Sequence, residues 1–402
     1  MSVVMERIAV SSFFSEGVLR KAPLFAVYHV NEFCSADFAD MKIREAKKST
    51  KGKLRVIFAP AEKFFQGSCG ACLCKAFSSA DEVLFVLPEC KEASSPIEEE
   101  LCRLYASCRE EQFKGLAGKL RFLIARNISE AVKHCFLESS EGDAVLVFSE
   151  GENSLLTNFS TDFISRKCDV AKELKSFSFF KTGGRSFSGG KTFVVGSGSN
   201  LWISDLTTDI EFIKSKGYPS VLGSSLHIPW MAGIPGTLGG WVKMNAGAFG
   251  HSISEVVKRV KVDGGWLNKN ECGFSYRTSS IKGVIEDIEF DEGKIKSLQG
   301  EKRIQDYLSR RKKFPARTCG SVFRNPEGEL SAGSLLEKAG AKTMSCGGAS
   351  VWYEHANVVI AGEGANSSDI YVLIFMMRQM VKKRFNITLR PEIQFAGEQN
   401  SL

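Results

Sequence analysis

No stretch of this sequence approaches the ~18 apolar residues that a membrane span requires, so no membrane-spanning helix is expected in it. No secretory signal is expected either. The N-terminus, MSVVMERIAVSSFF, carries Glu6 and Arg7 where such a signal would place its apolar core. A cytoplasmic location with reduced thiols is therefore expected for the cysteines. Their densest cluster, CGACLC at Cys69–Cys74, has one CxxC, no second pair at zinc spacing and no histidine nearby, so no metal is expected. No basic run is dense enough for a nucleic-acid tract. The net charge of +7 suits an anionic small ligand or simply a solvated basic surface. Internal repeats are absent.

What is present reads as a soluble globular chain of two or three domains, with 43% hydrophobic and 25% charged residues in 402. Residues 1–21 resemble a loose leader. Four short apolar runs follow, LRVIFAP (Leu54–Pro60), EVLFVLPE (Glu82–Glu89), LRFLIA (Leu120–Ala125) and DAVLVFSEG (Asp143–Gly151). Stretches with helical spacing separate them, at Glu98–Cys108 and Ile128–Leu137. Strands alternating with helices predict an α/β domain over 22–152, a parallel sheet with flanking helices.

Beyond residue 152 the texture changes, and glycine is frequent from Gly183 to Gly250. Two side-chain-poor loops stand out. The first follows a strand-like run in FVVGSGSNLWISD and comprises Gly196, Ser197, Gly198, Ser199 and Asn200. Backbone N–H groups in such a loop can converge on an anion. A GxG without the third Rossmann glycine is equally compatible with a tight turn. The second is GIPGTLGGWVKMNAGAFG (Gly233–Gly250), in which six of eighteen residues are glycine. Pro235 fixes one backbone angle there, while Gly233 and Gly236 leave theirs free. Two such loops could cradle the ends of a pyrophosphate, and a dinucleotide is the obvious candidate. Near the C-terminus, Ser331–Lys342 predicts a short helix closed by Gly340. Ser367–Phe385 predicts a longer one, capped by Ser367 or Ser368, with Asp369 suited to its N-terminal end. ITLRPEIQF closes the chain as a strand-like segment.

Taken in order, GSGSNLWISD, GIPGTLGGWVKMNAGAFG, CGFSYRTSSIK, GSVFRNPEG, AGSLLEKAGAK, GGASVWYEHANVVI and LRPEI resemble the UDP-N-acetylenolpyruvoylglucosamine reductase family over about 174–397. The resemblance implies an α+β FAD-binding fold of the PCMH type over 153–300, a smaller α+β substrate domain over 301–385, and a returning C-terminal strand over 386–402. It implies a cytoplasmic oxidoreductase of peptidoglycan synthesis. NADPH would reduce FAD, and the flavin would reduce the enolpyruvyl group of a UDP-sugar to UDP-N-acetylmuramate. Hydride addition leaves negative charge spreading into the substrate carboxylate, so a cation and a proton donor are needed. Matched motif by motif, Arg277 is expected to grip the carboxylate, Ser321 to deliver the proton and Glu392 to assist as acid. Gly196, Ser197, Gly198, Ser199, Asn200, Gly233, Ile234, Pro235, Gly236, Thr237, Gly240 and Asn245 are expected at FAD. Tyr276, Asn325 and His355 are expected at the substrate. RRKKFP (Arg310–Pro315) suits a diphosphate or a solvated helix end. The spacing of about 43 positions between Arg277 and Ser321 resembles the shorter class of these reductases.

The region around both glycine loops is shorter than the family's, and AGEGA (Ala361–Ala365) alters one turn. The alternative is thus a flavin-free UDP-sugar-binding or pathway-complex protein. A different FAD oxidoreductase of the same fold is a third reading, opposed by GSVFRNP and HAN. Residues 22–152 resemble more faintly the C-terminal domain of UDP-N-acetylmuramate–L-alanine ligase. Its ATP-binding parts are absent, which implies a non-catalytic domain, possible docking to neighbouring enzymes of the pathway, and no ligase activity.

Overall fold

A computed structural model describes residues 8–9, 26–30, 35–60, 70–87, 96–114, 120–140, 142–149, 191–195, 200–203, 210–214, 228–298, 301–311 and 313–396. These fall into two compact units. One holds the described residues through 149 together with Ser368–Met376, and the other holds those from 191 to Ser367 and from Met377 to 396.

The first unit is built on a six-stranded sheet. Its strands are β1 (Ile8–Ala9), β2 (Ala26–Val30), β3 (Leu54–Ala59), β4 (Glu82–Val86), β5 (Arg121–Ala125) and β6 (Ala144–Ser149), in the order β1-β2-β6-β3-β4-β5. All neighbours are parallel except β1 against β2. Thus Ile8 and Ala9, inside the segment expected as a leader, pair with Val27 and Ala26. The four sequence-predicted strands are present, trimmed by a residue or more. They read as continuous apolar runs because both faces are covered. On one face Ile57, Leu84, Leu123 and Val147 pack with Ala131, Val132 and Cys135 of α4 (Ile128–Glu138). On the other face Phe58, Phe85, Phe122 and Phe148 form an aromatic cluster with Phe77 and Tyr105, largely edge to face. Tyr105 lies on α3 (Pro96–Phe113). The helices α1 (Ala36–Ser49) and α2 (Gly70–Ala76) complete the unit. Ser35 caps α1 by accepting the Phe38 N–H, as Asn127 caps α4 by accepting that of Glu130.

Two buried polar clusters tie this unit together. Arg55, 3% exposed, pairs through Nε with Glu82 at 3.2 Å and through Nη1 with Asp143 at 2.9 Å. Glu82 also meets Arg121 Nη1 at 3.1 Å and His134 Nε2 at 3.0 Å. In the second cluster Asp369 is fully buried. It accepts from Arg109 Nε at 2.7 Å, Arg109 Nη2 at 2.8 Å and the Tyr105 hydroxyl at 2.8 Å. Ser368, expected as a possible helix cap, uses its hydroxyl to accept the Ile124 N–H of β5 at 2.8 Å.

The second unit is assembled from small sheets. Parallel pairs join β7 (Lys191–Val195) to β9 (Ile210–Lys214) and β8 (Leu201–Ile203) to β18 (Gln394–Ala396). The hairpin β10 (Gly247–Ala248) and β11 (His251–Ser252) precedes an antiparallel sheet of β12 (Val257–Val262), β13 (Gly265–Asn268) and β14 (Ile285–Phe290). A second antiparallel sheet contains β15 (Ser345–Cys346), β16 (Ala349–Val351) and β17 (Val359–Ala361). The helices are α5 (Leu238–Lys243), α6 (Glu292–Leu298), α7 (Glu301–Arg310), α8 (Ala332–Ala339) and α9 (Ser367–Phe385), the first half of α9 belonging to the first unit. Ser331 caps α8, which is shorter than the predicted Ser331–Lys342, and Gly340 ends it in the left-handed conformation, the stop that the sequence predicts. Of ITLRPEIQF and the residue after it, only Gln394–Ala396 is strand. Among the described residues no helix is long and apolar enough to cross a membrane.

Candidate active site

The glycine-rich segment 233–250 folds as a turn, a short helix and a hairpin. Gly233 has φ +75°, and a Cβ there would lie 3.0 Å from Arg311 Cδ and 3.2 Å from Leu308 Cδ2. What comes close to this backbone is therefore the end of α7. Thr237 caps α5 by accepting the Gly240 N–H at 3.2 Å, and Gly240 is small where a Cβ would press on that hydroxyl. Pro235 O accepts from Trp241 Nε1 at 3.2 Å, and Ile234 packs against the core formed by Trp230, Trp241 and Val256. Gly247 is held against the neighbouring strand, where any Cβ would collide with His251 O. Of the first loop, Gly196, Ser197, Gly198 and Ser199 lie outside the described residues. Asn200 lies within them.

This segment positions Arg277. Asn245, buried and left-handed at φ 45°, donates from Nδ2 to Ser275 O at 2.9 Å and accepts the Ser254 N–H through Oδ1. Ser275 and Thr278 exchange backbone hydrogen bonds across a tight turn, which places Arg277 at φ 56°. Backbone strain of this kind recurs at sites where one side chain must be aimed. The Arg277 Nη2 donates to Gly247 O at 2.7 Å, and its Nε donates to Glu392 Oε1 at 2.9 Å. Tyr276 is 52% exposed, with the Arg277 guanidinium 5.2 Å from its ring centroid.

Ser321 begins an extended segment hydrogen-bonded on both sides. It bridges to Val358, and Phe323 bridges to Pro391. The Glu392 N–H donates to Val322 O at 2.7 Å, and the Arg324 N–H to Arg390 O at 2.9 Å. Asn200 fastens the far side, its Nδ2 donating to Glu392 O at 3.0 Å and its own carbonyl accepting the Gln394 N–H. Arg277, Glu392, Asn200 and the Ser321 segment thus converge, although Arg277 and Glu392 are 115 positions apart. Burial pushes the Glu392 carboxyl above its ordinary value, against the opposing pull of Arg277 and Arg324.

The remaining expected residues do local work. Asn325 Oδ1 accepts the Ala332 N–H at the start of α8 at 3.0 Å. His355 Nδ1 accepts the Asn357 N–H at 3.2 Å, with its ring packed where a Cβ on Gly333 would sit. Gly247 and Arg324, which touch the site, are absent from the residues singled out by sequence. Both lie inside quoted motifs, MNAGAFG and GSVFRNP. An arginine directly after the buried pair Val322–Phe323 was the available signal.

A family model described as UDP-N-acetylenolpyruvoylglucosamine reductase, C-terminal domain, matches residues 312–396, which include Ser321 and Glu392. The UDP-N-acetylenolpyruvoylglucosamine reductase of Halalkalibacterium halodurans is 32% identical over 246 residues, covering 52% of this chain and 81% of that protein. The enzyme of the same name from Bacillus pumilus is 31% identical over 312 residues, covering 67% of this chain and all of that protein. The solved structure of UDP-N-acetylenolpyruvylglucosamine reductase from Thermus caldophilus is 24% identical at a TM-score of 0.43, covering 52% of this chain and 86% of that one. Three side-chain donors, Trp230 Nε1 and Arg311 Nε around Gly233 and Arg324 Nε near Glu392, are buried without a hydrogen-bond partner among the described residues. Unmet donors beside Gly233 and within the GSVFRNP motif suit an acceptor-rich ligand.

Proposed function

The chain belongs to the UDP-N-acetylenolpyruvoylglucosamine reductase family, a family of oxidoreductases, and we propose that it reduces the enolpyruvyl group of its UDP-sugar with FAD and NADPH. The observation that carries this reading is the 2.9 Å pair of Arg277 with Glu392, beside the segment that bears Ser321. Gly196–Asn200 and Gly233–Gly240 with Asn245 would hold FAD in a PCMH-type fold, where the flavin, once reduced by NADPH, would supply hydride for the alkene. Arg277 binds the substrate carboxylate and offsets the charge that develops on it, since a guanidinium is always protonated and grips carboxylates through paired bonds. Glu392, driven toward its neutral form by burial, is suited to hold a proton close to that charge. Ser321 delivers the proton to the carbon beside the reduced one. Tyr276, Asn325 and His355 face the sugar nucleotide in this reading. The parallel-sheet unit carries no chemistry of its own and serves as a docking domain in the cytoplasm.

The test is spectroscopic. Purified protein is expected to be yellow. NADPH should bleach it, and the enolpyruvyl UDP-sugar should restore the colour. Colourless protein that still binds the UDP-sugar would favour the flavin-free alternative.

A further inference from the structure

The segment 321–324 has two neighbours. One is the chain at 390–392, which carries Glu392. The other is the turn at 355–358, where Asn357 is 3% exposed. The backbone carbonyl of Asn357 accepts the Val322 N–H at 2.9 Å. Its side chain then reaches one residue further. Oδ1 accepts the Phe323 N–H at 2.9 Å, and Nδ2 donates to Phe323 O at 2.8 Å. A carboxamide offers one acceptor and a donor side by side, as a peptide unit does. Asn357 therefore serves both backbone groups of Phe323 as an added strand would, where the 1% exposed Phe323 has little access to water. The turn is itself held by the Asn357 N–H to His355 Nδ1 bond.

We propose that Asn357 is a positioning residue for the proton-delivering pair. It fixes the register of the segment that begins at Ser321 and, through Val322 O and the Glu392 N–H bonded to it, the placement of Glu392. This role rests on the reaction assigned above. An apolar side chain at 357 would leave two buried backbone groups unpaired, and the segment would shift to satisfy them. A displacement of about 1 Å at a reacting group lowers rates on the order of 100-fold.

The full-length protein with its flavin is compared with Asn357→Ala and Asn357→Asp. Bleaching by NADPH should stay within about twofold of wild type, while recolouring by the enolpyruvyl UDP-sugar slows by about 100-fold in Asn357→Ala. Exchange of the Phe323 amide hydrogen should accelerate in the same variant. Asn357→Asp keeps the acceptor and loses the donor. Protonation of the new carboxyl restores an acceptor and a donor together, so its recolouring rate relative to wild type should recover as pH falls. Where Asn357→Ala fails to fold, that pH response decides. Recolouring within about twofold of wild type in folded Asn357→Ala, or a pH-independent ratio in Asn357→Asp, overturns the role. Wild-type protein that the UDP-sugar does not recolour sinks the reaction as well.

Discussion

Glu82 and Asp143 in the parallel-sheet unit and Glu392 in the second unit are all carboxylates largely removed from water, and all lie beside arginine. Their titrations are shifted in opposite directions. Burial acts on Glu82 more strongly than any other single influence and pushes it up, yet His134, Arg121 and Arg55 together leave it below its ordinary value. Asp143 follows the same course, with the Ser140 and Lys53 N–H groups adding to Arg55. Glu392 has Arg277 and the more distant pull of Arg324, and burial prevails. The number of aimed donors, more than the mere presence of a cation, separates a carboxylate fixed as a structural anion from one that can hold a proton.

Arg55→Ala removes the shared partner of Glu82 and Asp143 and should cost about 3–5 kcal/mol of stability, because it strands buried charge. Chemical denaturation would measure this, and turnover per folded molecule should be unchanged. Arg277→Ala is the counterpart. Flavin recolouring by the UDP-sugar should fall by about 10²–10³-fold, with flavin reduction by NADPH little altered in rapid-mixing absorbance. Equal loss in both half-reactions would remove Arg277 from its role. The smallest effect concerns pH. A carboxyl whose folded value is raised favours folding below the unfolded value and loses that contribution as pH rises through the folded one. Melting curves should therefore show Glu392→Gln gaining on wild type as pH rises above the ordinary carboxylate range. Glu82 and Asp143 have the reverse sign. Their contribution is present above that range and lost on acidification, so Glu82→Gln should lag wild type most at neutral pH.

The sheet was legible because buried parallel strands write themselves as apolar runs, as in β3 and β4. The α8 stop was legible because Gly340 acts on its immediate neighbours. Long-range partners left no such trace. Arg55 and Glu82 sit in separate strands and look like surface residues until the register places them together. Nothing local at Gly233 announces that Leu308 and Arg311 approach it from far along the chain. Arg277 and Glu392 could be paired from sequence only by resemblance to a family. Ser368 looked like a helix cap because capping is local, whereas its hydroxyl goes to a strand 244 positions earlier.

The Asp369 cluster also sets a timetable for synthesis. Asp369 follows Arg109 by 260 positions. At roughly 5–20 residues per second, a ribosome needs about 13–50 s to supply that carboxylate after the arginine has been made. For that interval the first-made unit lacks the anion to which two of its helix side chains are fitted. The part of the protein translated first is therefore among the last to be completed, and a nascent chain halted before Ser368 would expose an unfinished sheet domain to chaperones and proteases.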